Sequence, residues 1–241
     1  RPVRGSRPGL RGEPAADVGL LEDASVEERA RWSSRAALEV ALVMAAFWGP
    51  ALAVLMLTAG EQEVAFMPLT GLVSSLLVLL IGFSAPAYAF GAMRRPRLHH
   101  CLEALGAILV LASVGHLYME GLVALAPELY DPEPLTSVAA SGWLTMLFVL
   151  AICPGVFEEI AFRGILQARL SALYGLHLGG IYAAVAFGLA HTVTAAIPIH
   201  FLLGFYLVWL RIRSDSILPG IVVHIGYNSA VVWLHLTFLG D

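Results

Sequence analysis

Long uninterrupted blocks of apolar residues constrain this chain more than any other feature of its sequence. About 20 such residues in helical geometry cross the hydrocarbon core of a bilayer. Of the 241 residues, 59% are hydrophobic and only 13% are charged, whereas a soluble domain carries about 25% charged residues. The blocks are apolar on all sides rather than alternating, which argues against a membrane β-barrel. The sequence therefore predicts an all-α, polytopic membrane helix bundle.

The chain divides into a polar tail, residues 1–34, and a single transmembrane domain, residues 35–241. Mixed charge, Gly and Pro predict that the tail is partly disordered, with a short surface helix at 25–35. Seven spans are predicted, at about 36–59, 66–93 (interrupted near 84–86), 98–126, 136–157, 178–196, 199–209 and 217–239. Residues 160–174 are predicted to form a helix lying at the membrane interface.

The distribution of arginine predicts how the bundle is oriented. All 14 basic residues are Arg, and seven of them lie within residues 1–35, six in the tail and Arg35 directly after it. The others are Arg94, Arg95, Arg97, Arg163, Arg169, Arg211 and Arg213. With seven spans and a cytoplasmic N-terminus, every Arg falls on the cytoplasmic side, as the positive-inside rule requires. The Arg-only composition favours a bacterial inner membrane, and the net charge of −4 gives no support for nucleic-acid binding.

Ionisable side chains within apolar spans are costly and typical of functional sites. The first such cluster is Glu158, Glu159 and Arg163. Glu159 and Arg163 are four residues apart on one helix face, a spacing that predicts an ion pair. Glu158 is then left as the free carboxylate. Taken alone, this cluster is more typical of an interfacial salt bridge than of a functional site.

Two further clusters place histidines in the fifth and seventh spans. His191 and His224 are both predicted to lie about 11–12 Å from the cytoplasmic surface, at 1.5 Å per residue. Asn228 shares a helix face with His224, although alone it also fits an interhelical hydrogen bond. A kink at 154–155 would bring Glu158 inward from the boundary. We therefore expect three helices to converge on one pocket near the cytoplasmic face.

Other polar groups have simpler interpretations. His116 and Glu120 share a face of the third span and are expected to form a structural pair. His177, His200 and His235 lie near span ends, where interfacial polar residues are common. Cys101 and Cys153 are expected to be free thiols.

Together, Glu158-Glu159-x-x-x-Arg163, Phe187-x-x-x-His191 and His224-x-x-x-Asn228 resemble the three motifs of the CPBP intramembrane endopeptidases. That family includes the CAAX prenyl proteases and the bacterial Abi proteins. The resemblance covers about residues 140–235, within a motif-bearing core at 136–239. The first three spans carry no matching motif, and we expect them to determine substrate specificity.

The resemblance implies a peptidase that hydrolyses a membrane-anchored protein or peptide near its C-terminus. Glu158 would activate the attacking water and His191 would help to hold it. His224 and Asn228 would orient the water and stabilise the oxyanion. Glu159 and Arg163 would anchor the helix end, and Phe187 would support the site.

Several alternatives stay open at this stage. No cofactor is favoured, although Glu158 or Glu159 with His191 and His224 could hold Zn²⁺. A small-solute transporter would also keep polar residues inside the bundle, but it predicts inverted repeats, and we find none in the sequence. A non-catalytic membrane scaffold on the protease fold is the second alternative. The sequence carries no signal for an oligomeric state.

Overall fold

A computed structural model describes residues 25–58, 63–130, 142–191 and 195–234, together with Thr237. Secondary structure within these ranges is helical throughout, which confirms the predicted all-α class. Three helices are long and apolar enough to cross a membrane, Val26–Leu57, Leu98–Leu125 and Trp143–Tyr174. Shorter apolar helical stretches cover Pro68–Ser84, Leu176–Ala190 and Leu218–Leu234. These lengths fit an integral membrane helix bundle, while seven spans and a cytoplasmic N-terminus stay predictions.

The helices of the described residues are numbered in chain order. They are α1 (Val26–Thr58), α2 (Glu63–Ser84), α3 (Pro86–Ala89), α4 (Leu98–Leu125), α5 (Trp143–Tyr174), α6 (Leu176–Ala190), α7 (Ile197–Ser214) and α8 (Leu218–Leu234). Two parts of α5 are π-helical, Phe148–Ile152 and Glu159–Leu166. A single 3₁₀ turn, Pro127–Leu129, follows α4.

Two predicted boundaries can be compared directly with these helices. The predicted interruption near 84–86 is confirmed, because α2 ends at Ser84 and Pro86 begins the short helix α3. Pro favours the first turn of a helix, where its missing N–H is not needed. The separate surface helix at 25–35 is wrong, because those residues begin the continuous helix α1. Residues 1–24, 59–62 and 131–141 lie outside the described part of the chain.

The interpretation of residues 160–174 as an interfacial helix is also wrong. They continue α5, and every residue of Glu159–Leu166 is buried. Arg163 is tolerated there because Glu159 neutralises its charge at 2.8 Å. Arg163 is therefore not a loop residue and gives no support to the predicted orientation. Glu158 lies halfway along α5, about 24 Å before Tyr174 at 1.5 Å per residue.

A second buried ion pair, which was not predicted, joins α1 to α5. Arg169 donates to both carboxylate oxygens of Glu39, at 2.7 and 3.0 Å. The guanidinium also lies over the ring of Tyr88, with Cζ 3.8 Å from the ring centroid. Bidentate geometry of this kind adds orientation as well as energy. The first helix is thus held against the helix that carries Glu158.

Helices α5 and α8 approach each other closely at Gly155. A Cβ at that position would overlap Cγ1 of Ile225 and would lie 2.9 Å from its backbone nitrogen. We expect Gly155→Ala to destabilise the fold by about 1–3 kcal/mol, because the backbone cannot move aside. Thermal unfolding in detergent would measure this loss. Gly106→Ala is the matched control, since a Cβ there meets nothing within 4 Å, and an equal loss in both variants would contradict the prediction.

Candidate active site

The three predicted clusters meet where α5, α6 and α8 pack together. Glu158 comes from the middle of α5, His191 directly follows α6, and His224 lies in α8. Oε2 of Glu158 is 3.5 Å from Nε2 of His191 and 3.8 Å from Nε2 of His224. One carboxylate oxygen thus faces two imidazole rings that are separated by more than thirty residues in sequence.

Glu159 forms a buried polar centre behind this carboxylate. Its Oε1 accepts from Nη1 of Arg163 at 2.8 Å and lies 3.1 Å from Nδ1 of His224. Because a carboxylate only accepts, Nδ1 of His224 is the donor, and Nε2 is turned toward Glu158. Gly220 makes room for this arrangement, since a Cβ there would lie 2.7 Å from the other oxygen of Glu159. Glu159 therefore sets the orientation of His224.

Phe187 packs against Arg163, His191 and His224 beside this centre. The guanidinium of Arg163 lies over its ring, with Cζ 4.2 Å from the centroid. The ring centroids of His191 and His224 are 4.7 and 5.6 Å from that of Phe187. Arg163 also donates to the backbone carbonyl of Gly204 at 3.2 Å. Cation–π and aromatic contacts of this kind restrict the positions of the side chains they join.

His191 is held by contacts on two sides. Its Nδ1 donates to the backbone carbonyl of Phe187 at 2.9 Å, which directs Nε2 toward Glu158. On its other side the ring stacks on His200, with centroids 4.2 Å apart and an interplanar angle of 19°. The sequence analysis assigned His200 to a membrane interface. His200 lies beside His191 because α6 and α7 pack against each other. The separation of nine residues in sequence does not predict this contact.

Asn228 lies one helical turn beyond His224 on α8. Its Nδ2 donates to the backbone carbonyl of Leu150 at 2.9 Å. Pro154 has no N–H, so it cannot supply the helical donor that this carbonyl would otherwise receive four residues later. Asn228 replaces that donor and fixes α8 against α5. An amide group carries two N–H donors, so one stays available to the site.

A cavity of about 350 Å³ extends from Glu158 between α1, α2, α5 and α8. Glu158, His191 and Asn228 form one wall, and α1 and α2 provide the other. The wall from the first two helices contains Phe47, Ala51, Thr70, Gly71, Ser74 and Ser75. We call this space the Glu158 cavity.

An apolar groove of about 260 Å³ continues the Glu158 cavity between α2 and α5. Gly71, Val149 and Cys153 line both spaces. The outer part of the groove includes Leu69 and Phe148, which are 52% and 51% exposed. The groove therefore joins an exposed apolar face of α2 and α5 to the Glu158 cavity.

No group of three or more His, Cys, Asp or Glu side chains within the described ranges has the arrangement of a metal site. Glu159, one of the candidate ligands, already accepts from Arg163 and His224. Both cysteines are free thiols, as predicted. His116 and Glu120 pair as predicted, with Nε2 3.3 Å from Oε1.

Comparison with protein families gives one match. Residues 140–230 match the family described as type II CAAX prenyl endopeptidase, Rce1-like, and this segment contains all seven motif residues. No curated protein matches the chain, and no solved structure matches it either.

The membrane helix bundle and the family match together support one class of protein, a CAAX-type intramembrane endopeptidase. Residues 140–230 are similar to the CPBP/CAAX protease family.

Proposed function

We propose that Glu158 is the general base of this endopeptidase and that it activates a water for direct attack on a peptide carbonyl. One observation carries the proposal. Glu158 lines the Glu158 cavity, yet its Oε2 has no hydrogen-bond partner among the described residues. A buried carboxylate oxygen left without a partner is costly, so a function or an ordered water is expected there. Two histidines flank the same oxygen, at 3.5 and 3.8 Å.

The reaction needs one proton acceptor and donors for the oxyanion. Glu158 takes a proton from the water as the water oxygen bonds to the carbonyl carbon. The free N–H of Asn228 donates to the tetrahedral oxyanion. Nε2 of His191 and Nε2 of His224 carry no proton in the tautomers that Phe187 and Glu159 fix, so they face the attacking water as acceptors and orient it. Glu158 then returns the proton to the leaving nitrogen as the C–N bond breaks, which gives a carboxylic acid and an amine. No metal is required, and Glu159 and Arg163 act by positioning His224 and α5.

The proposed substrate is a membrane-anchored protein or peptide that is cut near its C-terminus. The groove between α2 and α5 provides an entrance from the bilayer. An extended peptide in the membrane needs hydrogen-bond partners for its backbone. The hydroxyl of Ser74, on the wall opposite Glu158, is suited to supply one. A prenyl group or an apolar anchor helix would each fit the apolar groove, and we propose the anchor helix of a bacterial inner-membrane protein.

Gly71→Phe tests this entrance. Gly71 lines both the groove and the Glu158 cavity, and a Cβ there meets nothing within 4 Å. A phenyl group can therefore fill the entrance without disturbing the fold. We expect KM for a lipid-anchored peptide to rise about tenfold or more, because substrate binding loses its contact area. Gly49→Phe is the control, since that glycine lies on the exposed face of α1 with open space around it. Equal KM values for the two variants would contradict the proposal that the substrate enters through this groove.

The function itself is tested with the full chain in proteoliposomes. Matched peptides would carry either an apolar anchor helix or a prenylated cysteine at the same position, and mass spectrometry would identify the products. Cleavage at a single bond near the C-terminus of the anchored peptide supports the proposal. Cleavage of the prenylated peptide alone would keep the mechanism and correct the substrate. If the folded protein cuts neither peptide, the result contradicts the protease and favours the non-catalytic scaffold.

A further inference from the structure

A second cavity, of about 210 Å³, lies between α4, α7 and α8. It occupies the end of the bundle where α4 and α8 finish and α7 begins, because Tyr130, Leu234 and Ala196 all line it. Four polar side chains from three helices also line it, His116, His200, Tyr227 and Asn228. None of the steps proposed above uses this space.

The second cavity and the Glu158 cavity share one lining residue and adjoin at a pair of stacked rings. Asn228 lines both spaces. Beside it, His191 lines the Glu158 cavity and His200 lines the second cavity, and their rings are stacked with centroids 4.2 Å apart. A small molecule in the second cavity is therefore separated from Glu158 only by the amide of Asn228 and this pair of rings.

The lining is mostly apolar, but the polar groups within it are of the kind that hold water. A buried water needs two to four polar partners in a space of sufficient volume. The second cavity offers imidazole, phenol and amide groups, and about 210 Å³ exceeds the roughly 30 Å³ of one water severalfold. Nδ1 of His200 is buried without a hydrogen-bond partner among the described residues. Ordered water in the cavity would supply the hydrogen bond that this atom lacks.

Peptide hydrolysis inside a membrane needs a source of water that the bound substrate does not displace. A peptide bound in the Glu158 cavity displaces the water there, and the surrounding hydrocarbon supplies none. Hydrolysis still consumes one water in every turnover. A second wet space that the substrate does not enter can supply it.

We propose that the second cavity is a hydration chamber, which supplies the attacking water to Glu158 past Asn228 and the His191–His200 pair while substrate fills the Glu158 cavity. The inference rests on the proposed function of Glu158. It adds His200, Tyr227 and the neighbouring wall of α4 to the residues that affect turnover. None of these groups contacts the substrate.

Gly115→Val tests the chamber. A Cβ at Gly115 would lie 3.0 Å from the hydroxyl of Tyr227, so the added methyl groups occupy the second cavity. We expect kcat for the anchored peptide to fall about tenfold or more, since the water is no longer held ready for attack. KM is expected to stay within about twofold, because the substrate site is unchanged. Gly106→Val on the same helix is the control, because a Cβ there meets nothing within 4 Å.

Val231→Phe reduces the same cavity from α8 and serves if Gly115→Val does not fold. Unchanged kcat in a folded cavity-filling variant overturns the inference while leaving the protease intact. A rise in KM at constant kcat also overturns it, because the cavity would then be a substrate subsite. If the unmodified protein cuts no peptide, the inference falls together with the proposed function. Ordered water beside Tyr227 and Asn228 in an experimental structure would support it independently.

Discussion

Replacement of Glu158 by glutamine is expected to lower kcat for peptide cleavage by about 100- to 10,000-fold, the usual contribution of a general base. Glutamine has nearly the same shape as glutamate, so contacts within α5 are retained. Its amide cannot take a proton from water. The effect should appear in kcat with little change in KM, since the carboxylate acts on the water and not on the substrate.

The control for this variant is Glu103→Gln, which removes another carboxylate from the bundle. Glu103 lies near His100 and Arg213, each 3.6 Å away, and contacts none of the site residues. We expect its kcat to stay within about twofold of the unmodified protein. Thermal unfolding of both variants would show that they are folded. Retention of more than half the activity by Glu158→Gln would remove Glu158 from the mechanism.

Replacement of Arg163 by methionine is expected to destabilise the protein by about 3–5 kcal/mol. The side chain of Arg163 is 1% exposed, and that of Glu159 is fully buried. Without Arg163, the charge of Glu159 keeps only His224 as a partner, and its Oε2 already lacks one among the described residues. Methionine preserves most of the apolar volume of the arginine side chain, so the loss of stability measures the cost of the uncompensated charge on Glu159. Chemical denaturation in detergent would measure it.

The double variant Glu159→Gln with Arg163→Met separates charge from packing. It removes both charges, so its loss of stability should be smaller than that of Arg163→Met alone. Arg213→Met is the matched surface control, because its guanidinium is 48% exposed and its 3.6 Å pair with Glu103 contributes less than about 1 kcal/mol. Losses that simply add in the double variant would show that the pair is not coupled.

Local geometry explains which features of the site could be predicted from sequence. The pairing of Glu159 with Arg163 follows from the helical repeat, and their distance of 2.8 Å agrees with it. The same repeat places His224 and Asn228 on one face of α8. The length of the apolar block predicted the ends of α4 within one residue, since the predicted span is 98–126 and the helix covers Leu98–Leu125. Each of these features depends on residues that are close in sequence.

Features that depend on packing between helices could not be predicted in this way. The contact between His224 and Glu159 and the ion pair between Glu39 and Arg169 join residues 65 and 130 positions apart. The error at 160–174 has the same origin. An arginine near the end of an apolar block resembles an interfacial residue unless its buried partners are known. Glu159, Phe187 and the carbonyl of Gly204 are those partners.

The central claim is that this chain cuts membrane-anchored proteins by means of Glu158. The most direct test compares the C-termini of membrane proteins, by mass spectrometry, in cells that carry either the unmodified chain or Glu158→Gln. We predict that particular anchored proteins keep their C-terminal segments only in cells with the variant, and the new termini would identify both the substrate and the bond that is cut. Identical termini in the two cell lines, with the variant folded and inserted at normal levels, would contradict the claim.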